Sequence, residues 1–147
     1  MSKRDPERMA KLLARNRLKK RAIELVKVWA AHGVAVSPVA HDQYLLQLGR
    51  LTGQLRWLEH PANDLVGAAR AFVAGSDMLT MLGWDVRNEP ALLVSASKLA
   101  ATASNLSQIY PDGFVLINDT TGKAFIADID DENGTRFNIA DLPNTAL

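Results

Sequence analysis

The stretch around which the fold is predicted is DPERMAKLLARNRLKKRAIELVKVWAAHG, residues 5–33. Asp5 and Pro6 form a helix start signal, because aspartate is a favoured N-cap and proline a favoured first helical residue. Gly33 is a typical helix stop. The sequence therefore predicts a first helix over residues 6–32.

The two halves of this helix differ in composition. Cations occupy most of the circumference of the first half: Lys11, Arg15, Arg17, Lys19, Lys20 and Arg21. Apolar residues cover nearly every direction of the second half, and a helix that is apolar almost all round is normally buried. We therefore expect a basic helical arm over residues 6–21 that projects from a core element over residues 22–31.

The bulk composition is that of one globular domain. The chain has 147 residues, of which 48% are hydrophobic and 22% charged, so a single domain over residues 1–147 is expected. No run of eighteen apolar residues predicts a membrane span, and no apolar stretch directly follows the charged N-terminus as in a secretory signal. The chain contains no cysteine, which fits the expected cytoplasmic location.

The net charge of +1 conceals a strong asymmetry. Residues 1–28 contain ten Lys or Arg and three acids, whereas the remainder contains seven Lys or Arg and thirteen acids. Such polarity predicts either an electrostatic partner for the basic end or an internal pairing of the two ends.

Three further helices are expected to complete a bundle over residues 22–110. The second begins at Ser37-Pro38 and ends before His60-Pro61, because the residue before a proline disfavours helix. The third helix begins near residue 61 or 63 and extends towards Gly83. Residues 75–77 either lie within this helix or interrupt it and cap a new helical segment. The fourth begins at residues 88–90, and its seam alternates leucine and alanine.

The chain then changes its periodicity. Residues 113–117 and 123–129 are short, rich in β-branched and aromatic residues, and joined by a turn, which is a hairpin signal. Residues 135–139 form a third strand, and residues 140–147 a tail. The predicted fold class is α+β, mainly α: a four-helix bundle followed by a small three-stranded antiparallel β-meander over residues 113–139, packed on the bundle.

The basic arm is the first candidate site. Dense cations commonly bind phosphates, because each neutralised phosphate releases condensed counterions. The six cations from Lys11 to Arg21 are therefore predicted to contact DNA or RNA without sequence preference, since no base-reading motif accompanies them. The alternatives are a solvated or internally paired helix face, an acidic protein surface, and, less consistent with the short apolar stripe, an anionic membrane.

The second candidate site lies on the predicted second helix. Leu46, Arg50 and Trp57 point away from its main apolar stripe, and Gly53 leaves a notch between them. Exposed Trp, Leu and Arg side chains around a notch suit a protein partner. The alternative is that this helix is central and packs on two sides.

No pattern indicates a metal, a cofactor or catalysis. The acidic run that starts at Asp128 fails the calcium-loop template, because Asn133 and Ile139 stand where glycine and glutamate are needed. The three histidines lack metal-ligand spacing. No thiol nucleophile, GxSxG nucleophile elbow, glycine-rich phosphate loop or zinc-protease motif is present. We therefore expect a protein that is not an enzyme and has no catalytic residues.

Two functional hypotheses follow from these patterns. In the first, the chain is an accessory subunit of a nucleoprotein assembly that contacts nucleic-acid phosphates through its first helix. In the second, it is an inhibitor or adaptor of the immunity or antitoxin type, which binds a protein through the second helix and the acidic β end. Small cytosolic bacterial proteins with a helical bundle and a terminal hairpin fit either hypothesis, so the predicted fold does not decide between them. A homo-oligomer is compatible with both.

Overall fold

A computed structural model describes residues 5–52, 65–130 and 134–142, with residues 43 and 50–52 described for their backbone only. The helices are α1 Pro6–Ala31, α2 Asp42–Thr52, α3 Leu65–Val73, α4 Ala96–Ala101 and α5 Leu106–Ile109, with a 3-10 turn at Ala103–Asn105 between the last two. The strands are β1 Val36–Val39, β2 Met78–Gly83, β3 Ala91–Ser95, β4 Gly113–Asn118, β5 Lys123–Asp130 and β6 Gly134–Asp141.

The six strands form one sheet in the order β1-β3-β2-β4-β5-β6. Every neighbouring pair is antiparallel. The strands β2 and β4 lie at the centre, where Leu82 is paired with Val115. The strands β1 and β6 form the two edges of the sheet.

The two faces of the sheet bury separate apolar clusters. On one face, Met81, Phe114 and Phe125 are fully buried beneath α1, α3, α4 and α5. On the other face, Val115 and Ile117 belong to a smaller cluster with side chains from α2. The sheet therefore has buried side chains on both faces, and its central strands read as continuous apolar runs.

The predicted four-helix bundle with a three-stranded meander is wrong. The described residues contain a six-stranded antiparallel sheet, and only three of the five helices reach seven residues. The three C-terminal strands lie within two residues of their predicted bounds, but β6 includes residues 140 and 141 of the predicted tail, and the three strands form half of the large sheet. The chain therefore has a sheet at its centre, with helices on its faces.

The errors fall at short apolar segments. Residues 78–83 and 91–95 were expected within the third and fourth helices, but they form β2 and β3. An apolar run of five or six residues does not distinguish a buried strand from a buried helix. The break at Gly75, where φ is +78°, is real, but a strand follows it instead of a new helix.

The predicted start of the second helix is also wrong. Ser37 and Pro38 lie in β1, where they are paired with Leu93 and Leu92 of β3. Proline is tolerated there because β1 is an edge strand. The helix α2 begins at Asp42, and the predicted end of that helix at residues 59–60 lies outside the described residues.

Candidate nucleic-acid-binding helix

The N-terminus of α1 has the capping that its sequence predicted. The Asp5 side chain accepts a hydrogen bond from the backbone amide of Glu7 at 3.0 Å, and Pro6 is the first helical residue. The helix extends for 26 residues and ends at Ala31, with Gly33 at φ +77° shortly after it. The predicted bounds of this helix are confirmed to within one residue.

The first part of α1 extends away from the rest of the fold. Every residue from Asp5 to Arg17 is exposed, including the apolar Met9, Leu12 and Leu13. At 1.5 Å per residue, this exposed part of the helix is about 18 Å long. Its side chains are therefore available to solvent on all sides.

Five of the six predicted phosphate-binding cations make no ion pair with a described residue: Lys11, Arg15, Arg17, Lys19 and Lys20. All five are exposed. Lys11, Arg15 and Lys19 follow one another at intervals of four residues, so their side chains form a row along the helix. The Nε of Arg17 donates a 3.5 Å hydrogen bond to the carbonyl of Leu13, within the same helix.

Arg21 differs from the other five cations. Its Nε lies 3.2 Å from Oε2 of Glu89, and its Nη1 lies 3.7 Å from Oε2 of Glu24. The side chains of Arg21 and Glu89 are 34% and 20% exposed. Gly83 leaves room for this pair, because a Cβ at that position would lie 2.5 Å from Cγ of Glu89. Arg21 therefore marks the point where α1 joins the fold.

The second half of α1 is anchored by one face. Ala22, Leu25 and Trp29 are buried, whereas Ile23 and Val28 are 59% and 38% exposed. The expectation that this half is buried nearly all round is therefore wrong. Residues 22–31 lie on one face of the sheet, so only one side of the helix is covered.

In the anchored half of α1, Trp29 packs beside Tyr110, with the two ring centroids 6.5 Å apart. The indole nitrogen of Trp29 and the hydroxyl of Tyr110 are both buried, and the indole lies close enough to the hydroxyl to affect its pKa. Burial raises the pKa of the Tyr110 hydroxyl far above its usual value, and Glu89 acts in the same direction. The nearby Trp29 indole and the charge of Arg21 lower that pKa only in part.

The acidic end of the molecule does not pair with the basic arm in the described residues. The carboxylate of Asp128 accepts a 2.7 Å hydrogen bond from Nη2 of Arg136, across the β5–β6 hairpin. Residues 131–133 of the acidic turn lie outside the described residues. No described ion pair joins this hairpin to α1.

The second predicted surface is described only in part. Leu46 lies on α2 and is 61% exposed. Arg50 belongs to the same helix, but its side chain is not described, and Trp57 and Gly53 lie outside the described residues. On the opposite side of α2, Tyr44 and Leu48 are buried against the sheet.

A polar cluster that sequence reasoning missed lies beside Tyr44. The Tyr44 hydroxyl lies 3.2 Å from Oγ1 of Thr80 and 3.1 Å from a carboxylate oxygen of Asp119. Asn118 donates a 2.9 Å hydrogen bond to Ser76 at the wall of a cavity of about 350 Å³. Because these groups satisfy one another, they connect α2, β2 and the β4–β5 turn. The only feature of the sequence that hinted at this cluster is Thr80, a polar residue within an apolar run.

The described residues show neither a metal site nor a membrane span. No group of three or more His, Asp or Glu residues lies within range of a common metal ion in the described part of the chain. Nε2 of His41 forms a hydrogen bond with the carbonyl of Val86, and His32 is exposed at the end of α1. Among the described helices, none is both long and apolar enough to cross a bilayer.

Comparison with known proteins identifies no relative of this chain. No family model matches the chain, and neither a curated protein nor a solved structure is significantly similar to it.

Proposed function

We propose that the chain is a non-enzymatic binding protein that contacts nucleic-acid phosphates through α1, as an accessory subunit of a nucleoprotein assembly. Phosphate charge dominates the affinity of such contacts. Since the contacts are made to the backbone of DNA or RNA, no sequence preference is expected.

The observation that supports this proposal most directly is the state of the cations on α1. Lys11, Arg15, Arg17, Lys19 and Lys20 are exposed and form no ion pair within the described residues. Holding several unpaired cations on one rigid helix is unfavourable through mutual repulsion. A polyanion relieves that repulsion when it binds, which favours a phosphate backbone as the ligand.

Arg21 has a smaller role in this proposal than in the prediction from sequence. Its guanidinium is already paired with Glu89. A phosphate would have to compete with this half-buried carboxylate. We therefore assign phosphate contact to the five cations before Arg21, and assign Arg21 the role of holding α1 against the fold.

Salt-dependent binding to a duplex of random sequence and to a single strand tests the proposal, with fluorescence anisotropy as the readout. The test variant carries Arg15→Gln, Lys19→Gln and Lys20→Gln. The slope of log affinity against log salt for a duplex changes by about 0.9 for each phosphate contact. The triple variant is therefore expected to have a slope shallower by about 2 to 3, and a large loss of affinity at low salt.

A matched control separates a local site from overall charge. Arg87, Lys98 and Lys123 are exposed cations elsewhere on the fold, and their triple replacement by Gln lowers the net charge by the same amount. This control is expected to retain the slope of the wild-type protein. The proposal would be refuted if the two triple variants lost equal amounts of nucleic-acid affinity, or if the wild-type protein did not bind at low salt.

The protein-binding inhibitor or adaptor is the second hypothesis from the sequence. Of its three anchor residues, only Leu46 has a described side chain, and that side chain is 61% exposed. An exposed leucine alone is common on protein surfaces. The cations of α1 therefore give nucleic-acid binding the stronger support.

A further inference from the structure

Five apolar and two polar residues at heptad spacing form a seam along α1, most of it exposed, with Val26 half-buried against the core. The seam repeats at alternating intervals of three and four residues and consists of Met9, Leu12, Asn16, Lys19, Ile23, Val26 and Ala30. Met9, Leu12 and Ile23 are 37%, 46% and 59% exposed. An interval that averages 3.5 residues is the heptad pattern by which one helix packs along another.

The heptad assigns these residues to the two core positions of a coiled coil. Met9, Asn16, Ile23 and Ala30 occupy successive a positions, and Leu12, Lys19 and Val26 occupy d positions. A single asparagine at an a position is the usual device that fixes the register of a two-stranded coiled coil. The seam is therefore suited to one partner helix.

A groove lies at the anchored end of the same seam. It has a volume of about 430 Å³ and is lined by Lys19, Ala22, Ile23, Val26, Lys27 and Pro38. Only the last of these residues comes from outside α1. The groove gives a partner helix space between α1 and the edge strand β1.

The proline in β1 makes a docked helix a better partner at this groove than an added strand. Among the described strands, β1 pairs with β3 alone, and Pro38 lies within β1. Proline lacks the amide hydrogen that strand addition uses, and proline on an edge strand is a known protection against such pairing.

The charges beside the seam define the chemistry of the partner. In a heptad, the e and g positions flank the a and d core and choose the partner by charge. Arg8 and Arg15 occupy g positions, and Lys20 and Lys27 occupy e positions. The other flanking positions hold the exposed Leu13 and the buried Ala22 and Trp29. The two acids of α1, Glu7 and Glu24, occupy positions outside these flanks. A second copy of this helix would place cations against cations, whereas an acidic helix would neutralise them.

We infer that α1 docks a helix of another protein, which presents apolar residues at its a and d positions and Glu or Asp at its e and g positions. This goes beyond phosphate binding, because it needs the apolar side chains of Ile23 and Val26 as well as the flanking cations. Since Arg15 and Lys20 would serve both ligands, an acidic helix and a nucleic acid are expected to compete for α1.

The inference is tested with synthetic three-heptad peptides and the full chain, by isothermal titration calorimetry. The first peptide has Leu or Ile at a and d, one Asn opposite Asn16, and Glu at e and g. The second has the same Glu residues but Gln at every a and d position. The first is expected to bind at least tenfold more tightly than the second.

Neutral substitutions on α1 locate the contact. Ile23→Gln replaces an exposed apolar residue of the seam. It is expected to lower the affinity for the first peptide at least tenfold and to change the affinity for the duplex less than twofold. Val28→Gln replaces another exposed apolar residue of α1, which lies away from the seam, and is expected to leave both affinities unchanged. Circular dichroism checks that both variants keep the wild-type fold.

Three results would overturn the inference. Equal affinity of the two peptides would show that charge alone attracts them. An unchanged affinity in the Ile23→Gln variant would place the contact elsewhere on the chain. Self-association of the wild-type chain that Ile23→Gln abolishes, measured by sedimentation equilibrium, would show that the seam is occupied by a second copy.

Discussion

The two halves of α1 belong to one continuous helix but have opposite surroundings. Residues 6–17 are exposed on every side, whereas residues 22–31 bury Ala22, Leu25 and Trp29 against the sheet. Arg21 lies between the two halves and pairs with Glu89. The helix is therefore stabilised by tertiary packing at one end and by its own sequence at the other.

This contrast separates the residues that hold the fold together from those that are available to a ligand. The anchored half obtains its stability from apolar burial, which is proportional to the area removed from water. The free half has a capped N-terminus and residues of mostly good helix propensity, but little packing. Substitutions of exposed residues should therefore alter binding, whereas substitutions of the buried residues in the anchored half should alter stability.

The largest effect is expected from Trp29→Ala. The Trp29 side chain is completely buried, and truncation of a buried aromatic residue costs about 3–5 kcal/mol. Leu13→Ala is the matched variant in the free half, where the leucine is 52% exposed. Its free energy of unfolding is expected to change by less than about 0.5 kcal/mol.

Urea denaturation measures both changes. Since a domain is stable by only about 5–15 kcal/mol, Trp29→Ala should move the midpoint to much lower urea concentration, and Leu13→Ala should not. Equal destabilisation by the two substitutions would show that the free half packs on the fold after all.

A smaller effect is expected at alkaline pH, from Tyr110 beneath the anchored half. Burial raises the pKa of this hydroxyl in the folded state, whereas an unfolded tyrosine loses its proton near pH 10. Above that pH the folded state retains a proton that the unfolded state has lost. The free energy of unfolding should therefore fall as the pH rises, with a limiting slope of about 1.4 kcal/mol per pH unit from this group.

The variant Tyr110→Phe isolates that contribution. It also removes a buried hydroxyl that faces the buried Trp29 indole, so the two proteins are compared by the slopes of their pH profiles and not by their stability at pH 7. Between pH 9 and pH 11, its free energy of unfolding should decline less steeply than that of the wild-type protein. Parallel pH profiles for the two proteins would show that Tyr110 titrates normally in the fold.

The helix α1 and the three C-terminal strands could be predicted because their signals are local. Asp5, Pro6 and Gly33 mark the ends of the helix, and the change to β-branched residues after Gly113 marks the start of the strands. The strands β2 and β3 could not be predicted. Both are short apolar runs buried on two faces, so they lack the alternation that identifies a half-exposed strand.

The candidate site shows the same division between local and distant information. The density of cations from Lys11 to Lys20 is a sequence property, and the exposure of these residues follows from the lack of apolar neighbours on most of the helix surface. The pairing of Arg21 with Glu89 joins residues 68 positions apart, so no local pattern contains it. The polar contact of Tyr44 with Thr80 and Asp119 likewise depends on the sheet, which sequence periodicity did not reveal.

The smallest effect on overall stability is expected from Asp5→Ala. Loss of an N-cap usually costs a helix about 0.5–2 kcal/mol, but Asp5 caps only the free half of α1. The first turns should fray without unfolding the anchored half, because helix ends open locally. The midpoint of thermal unfolding should therefore be unchanged, while amide hydrogen exchange accelerates at residues 9–17 and stays the same at residues 25–29. Faster exchange at both ends of the helix, or a lower midpoint, would mean that the free half contributes to the stability of the whole fold.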